Sequence, residues 1–299
     1  VAALMVIVYH LFECFPADTW IIGHGYLAVD FFFILSGFVV GYAYDDRWSK
    51  QVPQGKRLTI WGFFKRRLIR LHPMVVFGIV AGAVAFYLQG GIKWDGTHVA
   101  ISAVMLAMLL HLFFIPEGGG AYSEIRGNAE MFPLNGPHWS LFFEYIGNIF
   151  YGLLIRRMST AMLTVWTIVI GAAFAVFGIS DIVGYGNIGV GWTLDGMNFW
   201  GGLLRMLFPF SCGLLMSRVF KPIKIRGAFW LCTILIVIFL SVPNLGAVNC
   251  IYEVICVIIV FPIVVYLAAS GQTTDDTSTS LCRFLGDISY PLYAVHYPT

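Results

Sequence analysis

His10 follows the uninterrupted apolar run Val1–Val8, and Glu13 comes three residues later. Residues three apart share a helical face, so the Glu13 carboxylate can orient the imidazole or stabilise the imidazolium. A neutral imidazole is suited to take the proton of a hydroxyl as that hydroxyl attacks a carbonyl. The plainer reading is an interfacial histidine bonded to a neighbouring carbonyl. Asp30 opens a second apolar run, Phe31–Leu35. An unpaired carboxylate in hydrocarbon costs roughly 2.5–3.5 kcal/mol on insertion scales, so a partner is expected. Either an arginine or His10 can serve, and both a catalytic role and a structural contact between helices stay open.

The segment from Lys65 to Pro73 carries Arg66, Arg67 and Arg70. Arg67 and Arg70 share a helical face, and Arg66 joins Arg70 at a spacing of four. Guanidinium forks suit phosphate groups, so the three form a candidate clamp for an anionic cofactor. Ordinary anchoring by basic residues at a membrane surface is the alternative for each arginine taken singly. Further on, Ser140 and Glu144 lie four apart behind Trp139, an interfacial residue type. Glu144 is a candidate second acid/base group or the centre of a polar network, and His138 reads as a loop residue. Ser140 lacks the GxSxG setting of an exposed nucleophile. Arg205 and Glu253 are intramembrane charges that pair with each other or with Asp30. His111 reads as a structural histidine, and His296, beside Tyr290 and Tyr293, either joins a site or lies at an interface.

These residues need elements to hold them, and composition says which kind. Of 299 residues, 59% are apolar and 11% charged, and the mean hydropathy is +0.82. Soluble domains carry about 25% charged residues, so this chain reads as a polytopic membrane protein. Apolar stretches near the length of a bilayer crossing predict about ten helices. They fall near 1–15, 26–44, 74–90, 98–115, 138–155, 161–179, 199–217, 227–243, 247–269 and 284–298. Continuous apolar runs, rather than short alternating ones, favour helices over a barrel. The expectation is an all-α membrane bundle forming one domain over 1–299. Its first and last helices look truncated, so no signal peptide is inferred.

Basic residues in short loops orient such a bundle. Arg47, Lys50, Lys56, Arg57, Lys65, Arg66, Arg67 and Arg70 place the segment between the second and third spans in the cytoplasm. Arg156 and Arg157 suggest another cytoplasmic turn, as do Arg218, Lys221, Lys224 and Arg226. The count of crossings between Arg70 and His138 then has the wrong parity. Either 116–137 contains an irregular or re-entrant piece, or Arg156 and Arg157 lie outside. Gly118–Gly120 read as part of a mobile loop, and 270–280 as a solvated linker. The six cysteines, at 14, 212, 232, 250, 256 and 282, show no metal spacing. Gly184, Gly186 and Gly189 spell GxGxxG between two spans, outside the strand-to-helix setting of a nucleotide site. The net charge of +2 and the basic loop allow attraction to anionic lipid, and nothing suggests nucleic acid.

Taken together, the ordered segments resemble the acyltransferase-3 family of integral-membrane O-acyltransferases that modify cell-surface sugars. Val1–His10 is similar to the family's first helix with its Tyr-His pair, and Gly25–Phe38 to its glycine-Val-Asp-aromatic-Leu-Ser-Gly-Phe signature. Arg67 to Arg70 with Pro73 matches an Arg-x-x-Arg element, and Trp139-Ser140-Leu141 with Glu144 a Trp-Ser-Leu-x-x-Glu element. Ser289 to His296 resembles the closing Ser-Tyr-x-x-Tyr-x-x-His segment. The family's basic residue eleven positions before the histidine would precede Val1, and His72 stands where the family often has an aromatic residue.

The resemblance implies acyl-CoA, usually acetyl-CoA, as donor and a hydroxyl of a glycan or glycolipid as acceptor, in the cytoplasmic (inner) membrane. It implies His10 as the general base, with Asp30 and Glu144 tuning it or binding acceptor hydroxyls. Arg67 and Arg70, joined by Arg66, would hold the CoA phosphates. Glu13, Ser36, Trp139, Ser140, Tyr290 and His296 would shape the pocket. Direct transfer and a covalent intermediate both stay open. The alternative from another class is a proton-coupled transporter or flippase using Asp30, Glu144, Glu253 and Arg205; no duplicated halves support it.

Overall fold

The computed structural model describes residues 1–13, 15, 21–48, 53, 57–273 and 275–297. Cys14, Lys50 and Lys56 lie outside the described residues. The chain folds as α1 (Ala2–Phe12), α2 (Ala28–Tyr44), α3 (Ile60–Leu88), α4 (Ile101–Leu112), α5 (His138–Leu153) and α6 (Thr160–Ile179). Then come α7 (Gly196–Val219), α8 (Ala228–Leu240), α9 (Asn249–Ile255), α10 (Phe261–Ala269) and α11 (Asp276–Val295). A π-helical turn, Cys256–Val260, joins α9 to α10. Pro262 cannot donate a backbone bond, and a wider turn just before it accommodates that loss.

Each expected apolar segment carries helix. Five described stretches are long and apolar enough to cross a membrane: Gly25–Trp48, Ile60–Leu88, Thr160–Ile179, Gly196–Val219 and Gly246–Ala269. The apolar helices α4 and α8 have 12 and 13 residues. At about 1.5 Å per residue they are shorter than a hydrocarbon core of roughly 30 Å. Several apolar helices nonetheless make this a multi-pass membrane protein. In α6 only 28% of the most apolar window is buried, at a mean hydropathy of 2.2. Val165, Ile168, Val169 and Val176 face outward, as a lipid-contacting surface requires.

Two boundaries differ from the hydropathy reading. The third helix begins at Ile60 rather than 74, because Lys, Arg and Leu are good helix formers although two of them are charged. Thr59 caps it, accepting from Gly62 N at 3.0 Å, and the helix runs on through Pro73. The segment 270–280 is not simply a solvated linker. Asp275 accepts from Ser278 N at 2.7 Å and starts α11, while β2 (Gly271–Gln272) pairs in parallel with β1 (Ile225–Arg226).

The bundle has two distinct ends. At the basic end, Asp45 holds Arg218 Nε at 2.6 Å and accepts from Tyr151 at 2.7 Å, while Arg156 lies over the Trp48 ring at 4.3 Å. At the histidine end, the ring of His10 lies 5.1 Å from that of His296, and Asn135 Nδ2 donates to Ala294 O at 2.8 Å. The C-termini of α1 and α11 and the N-terminus of α5 therefore meet there.

The contacts of α4 resolve the parity problem. The non-helical segment after it returns to the end from which α4 started: Trp94 N bonds Arg126 O at 3.0 Å and Glu117 N bonds Met131 O at 3.0 Å. Met131 N continues to Trp192 O at 2.9 Å. Hence α4 and 113–137 form a re-entrant unit, and Arg156 and Arg157 stay at the basic end. The segment is packed rather than a solvated loop, with Ile125, Met131, Phe132 and Leu134 buried. His138 is correspondingly not a loop residue: it is the first residue of α5 and is 1% exposed.

Close packing of α2 on α7 fixes the bundle's centre. A Cβ on Gly37 would sit 2.0 Å from Phe210 O, and one on Gly213 2.0 Å from Ile34 O. Small residues at facing positions let two backbones approach this closely, which is how helices associate without a hydrophobic drive between them.

Candidate active site

Two cavities in the bundle hold the candidate site residues, one toward each end. The first, about 260 Å³, lies among α2, α3, α5 and α11. Arg67 and Arg70 contribute from one face of α3, Ser36 from α2, Ser140 and Glu144 from α5, and Tyr290 and Tyr293 from α11. Glu144 Oε1 is its polar centre, accepting from Ser36 Oγ at 2.7 Å and from Arg67 Nη2 at 2.8 Å. Tyr290 ties α11 to α3 by donating to Leu71 O at 2.5 Å. Arg67 is 4% exposed, whereas Arg70 is exposed.

Two of the expected site residues stand apart from the partners expected for them. Arg66 is exposed and does not line the cavity; the inward row on α3 is Phe63, Arg67 and Leu71, and Arg66 lies about 100° around from it. Glu144 is not placed to tune His10, since it sits in the arginine cavity and its oxygen is engaged by Ser36 and Arg67.

The second cavity, about 380 Å³, lies at the histidine end. His10 and Glu13 line it, with the imidazole Nδ1 2.6 Å from Glu13 Oε2. His296 Nδ1 donates to Tyr293 O at 2.8 Å, which sets its ring beside His10. Trp139 stands on the opposite wall with the Arg205 guanidinium carbon 5.1 Å from its ring centre. Tyr26, Tyr185, Trp192 and Tyr297 add aromatic surface, and Asn128, Asn187 and Glu130 add polar groups. None of these seven was singled out by spacing in the sequence. Several belong to the loops 113–137 and 180–195, whose approach follows only from the fold.

Asp30 finds the arginine partner that was one of its two expected ones. It is 0% exposed and lines neither cavity; it holds Arg205, which donates from Nε at 3.1 Å and from Nη2 at 2.6 Å. Arg205 Nη1 also donates to Val190 O at 2.7 Å, fixing the loop that carries Trp192. Glu253 pairs with neither Arg205 nor Asp30. It accepts from Tyr26 OH, from Asn249 Nδ2 at 2.6 Å and from Ile188 N at 2.6 Å, so it secures the GxGxxG loop against α9. His111 lies 3.0 Å from Glu117 in the interior, away from both cavities.

Glu130 belongs to the non-helical segment outside the spans. Burial pushes its carboxyl up to about 6, against the smaller opposing effect of the Asn128 amide, which donates to it at 2.8 Å.

Val29 and Tyr293 line both cavities, so the arginine-bearing space and the histidine-bearing space adjoin. Residues 1–299 match the family described as an acyltransferase domain. The chain belongs to the acyltransferase-3 family. Among curated relatives, Protein 2 in the picA locus of Rhizobium radiobacter is 33% identical over 187 residues, covering 59% of this chain and 91% of that protein. Acyltransferase MdmB of Streptomyces mycarofaciens is 26% identical over 294 residues, covering 91% of this chain and 67% of that protein. No solved structure matches. As a member of this family, the chain is an acyltransferase built into a membrane bundle.

Proposed function

We propose that the protein moves an acyl group, acetyl in the simplest case, from acyl-CoA to a hydroxyl of a cell-surface or lipid-linked carbohydrate. The arginine cavity takes the donor. Arg70, exposed beside the opening, meets phosphate, and Arg67, held by Glu144, keeps a second guanidinium on the same face. The positive-inside rule supports reading this basic end as cytoplasmic, where acyl-CoA is found, with the bundle in the cytoplasmic membrane as part of the proposal. The histidine cavity takes the acceptor. Its aromatic walls and amide and carboxylate groups suit a sugar, which offers apolar ring faces and hydroxyls together.

With Nδ1 engaged by Glu13, Nε2 of His10 is the nitrogen that accepts the acceptor's proton. The hydroxyl oxygen then bonds to the thioester carbonyl carbon, the C–S bond breaks, and the proton passes to the departing sulfur. Glu13 stabilises the imidazolium between those events. Water is the competing acceptor, and an enclosed site limits it.

The observation that carries this reading is the adjacency of a basic cavity and a histidine cavity within one acyltransferase bundle. Purified protein supplied with radiolabelled acetyl-CoA and a panel of glycosides tests it. Label appearing in an alkali-labile ester on a glycoside supports it. Release of CoA with no labelled ester on any carbohydrate, but label on another hydroxyl compound, overturns the acceptor class.

A further inference from the structure

Donor and acceptor cavities adjoin through very little protein. Of the residues lining either one, Val29 and Tyr293 line both. Val29 offers a small apolar surface, whereas Tyr293 is a full aromatic ring, 6% exposed, projecting from α11 between the two spaces. Its hydroxyl lies 2.5 Å from Ser140 Oγ on α5. Ser140 gives its own proton to Pro137 O at 2.9 Å, so in this contact Tyr293 is the donor. The ring is therefore tethered at its far end, across to the helix opposite. Phe32 packs against it on the donor side, ring centres 5.5 Å apart and steeply inclined.

We propose that Tyr293, tethered to Ser140, is a septum that separates the donor thioester from the acceptor cavity and so from water entering through it. This rests on the donor and acceptor assignment above and deepens it. The transfer reaction has one wasteful competitor. In hydrolysis the oxygen of water bonds to the acyl carbon, the C–S bond breaks, and the two products are a carboxylic acid and the thiol. His10 would assist a water molecule as readily as an alcohol, so discrimination has to come from access. A ring standing where the cavities meet supplies it, and an acceptor sugar filling the aromatic space beyond provides the surface that the ring yields to. Tyr293 is thus a positioning residue, acting by exclusion.

The test is the partition of acetyl-CoA between hydrolysis and transfer, read on the full chain as thiol released against label fixed on acceptor. This ratio does not depend on the fraction of protein that folds. Tyr293→Ala removes the wall and should raise hydrolysis per transfer by about tenfold or more. Tyr293→Phe keeps the ring but loses the tether and should fall between that variant and the wild type. The Michaelis constant for acetyl-CoA should stay within about threefold, since the arginines are untouched. A wild-type partition ratio in Tyr293→Ala, with transfer present, overturns the septum and leaves the donor assignment standing. Absence of transfer in the wild-type protein overturns both.

Discussion

Arg205 and Asp30, 175 positions apart in sequence, form a doubly hydrogen-bonded pair with neither side chain exposed beyond 1%. The same guanidinium reaches Val190 O and Tyr26 O, so one cation joins α7, α2 and the two loops that wall the histidine cavity. Its flat face lies against Trp139. The pair is a girder of the site rather than one of its reagents.

Removing one member should therefore cost fold before chemistry. Asp30→Ala leaves a buried, unpaired guanidinium, a change that typically costs about 3–5 kcal/mol. The variant should melt well below the wild type in detergent, while the double variant Asp30→Leu, Arg205→Met should recover much of the loss. A single variant as stable as the wild type would refute the structural role.

Two basic residues of α3, Arg70 in the cavity lining and Arg66 outside it, should separate cleanly. Arg70→Ala should weaken acetyl-CoA binding about tenfold or more, the loss of a charge-assisted contact, whereas Arg66→Ala should change it by less than about twofold. Equal losses for both would place the donor on the outer surface of α3 instead of in the cavity.

Glu13→Gln should keep the fold and lower the transfer rate by about ten- to a hundredfold, since an amide orients the ring without stabilising the imidazolium. The loss should appear in kcat with little change in KM for the donor. An unaltered kcat would show that the 2.6 Å contact between Glu13 and His10 has no part in turnover.

Glu130 gives a pH-dependent prediction. Its carboxyl is raised from an ordinary 4.5 to about 6 by burial. The folded protein therefore holds the proton more tightly than the unfolded chain. That contribution is fully present below about 4.5 and is lost as pH rises through about 6, a difference of roughly 2 kcal/mol. Glu130→Gln should flatten the fall in stability between those values, seen as melting temperature against pH. Parallel curves for the two proteins would count against it.

What could be read in the chain was what lies close in sequence. His10 with Glu13, and Arg67 with Arg70, are spacings within one helix turn, and the structure keeps each pair together. The partners of Asp30 and Glu144 could not be read, because they come from helices far along the chain. Hydropathy found the helices but misjudged those whose ends carry charge, α3 and α11. It also could not foresee that α4 turns back, since a half-length helix and a short span have the same composition. Tyr293 had a signal: Tyr290, Tyr293 and His296 recur every three residues on α11, a stripe that marks one face. Glu130, Asn128 and Trp192 had none, being loop residues gathered by the packing of 113–137 on 180–195.

The most direct measurement is the rate of acetyl transfer by His10→Ala protein, purified at wild-type abundance and supplied with labelled acetyl-CoA and an acceptor that the wild type esterifies. The account predicts that ester formation falls by at least about a hundredfold while acetyl-CoA still binds, because the base is lost and the arginine cavity is intact. Transfer at the wild-type rate would contradict it.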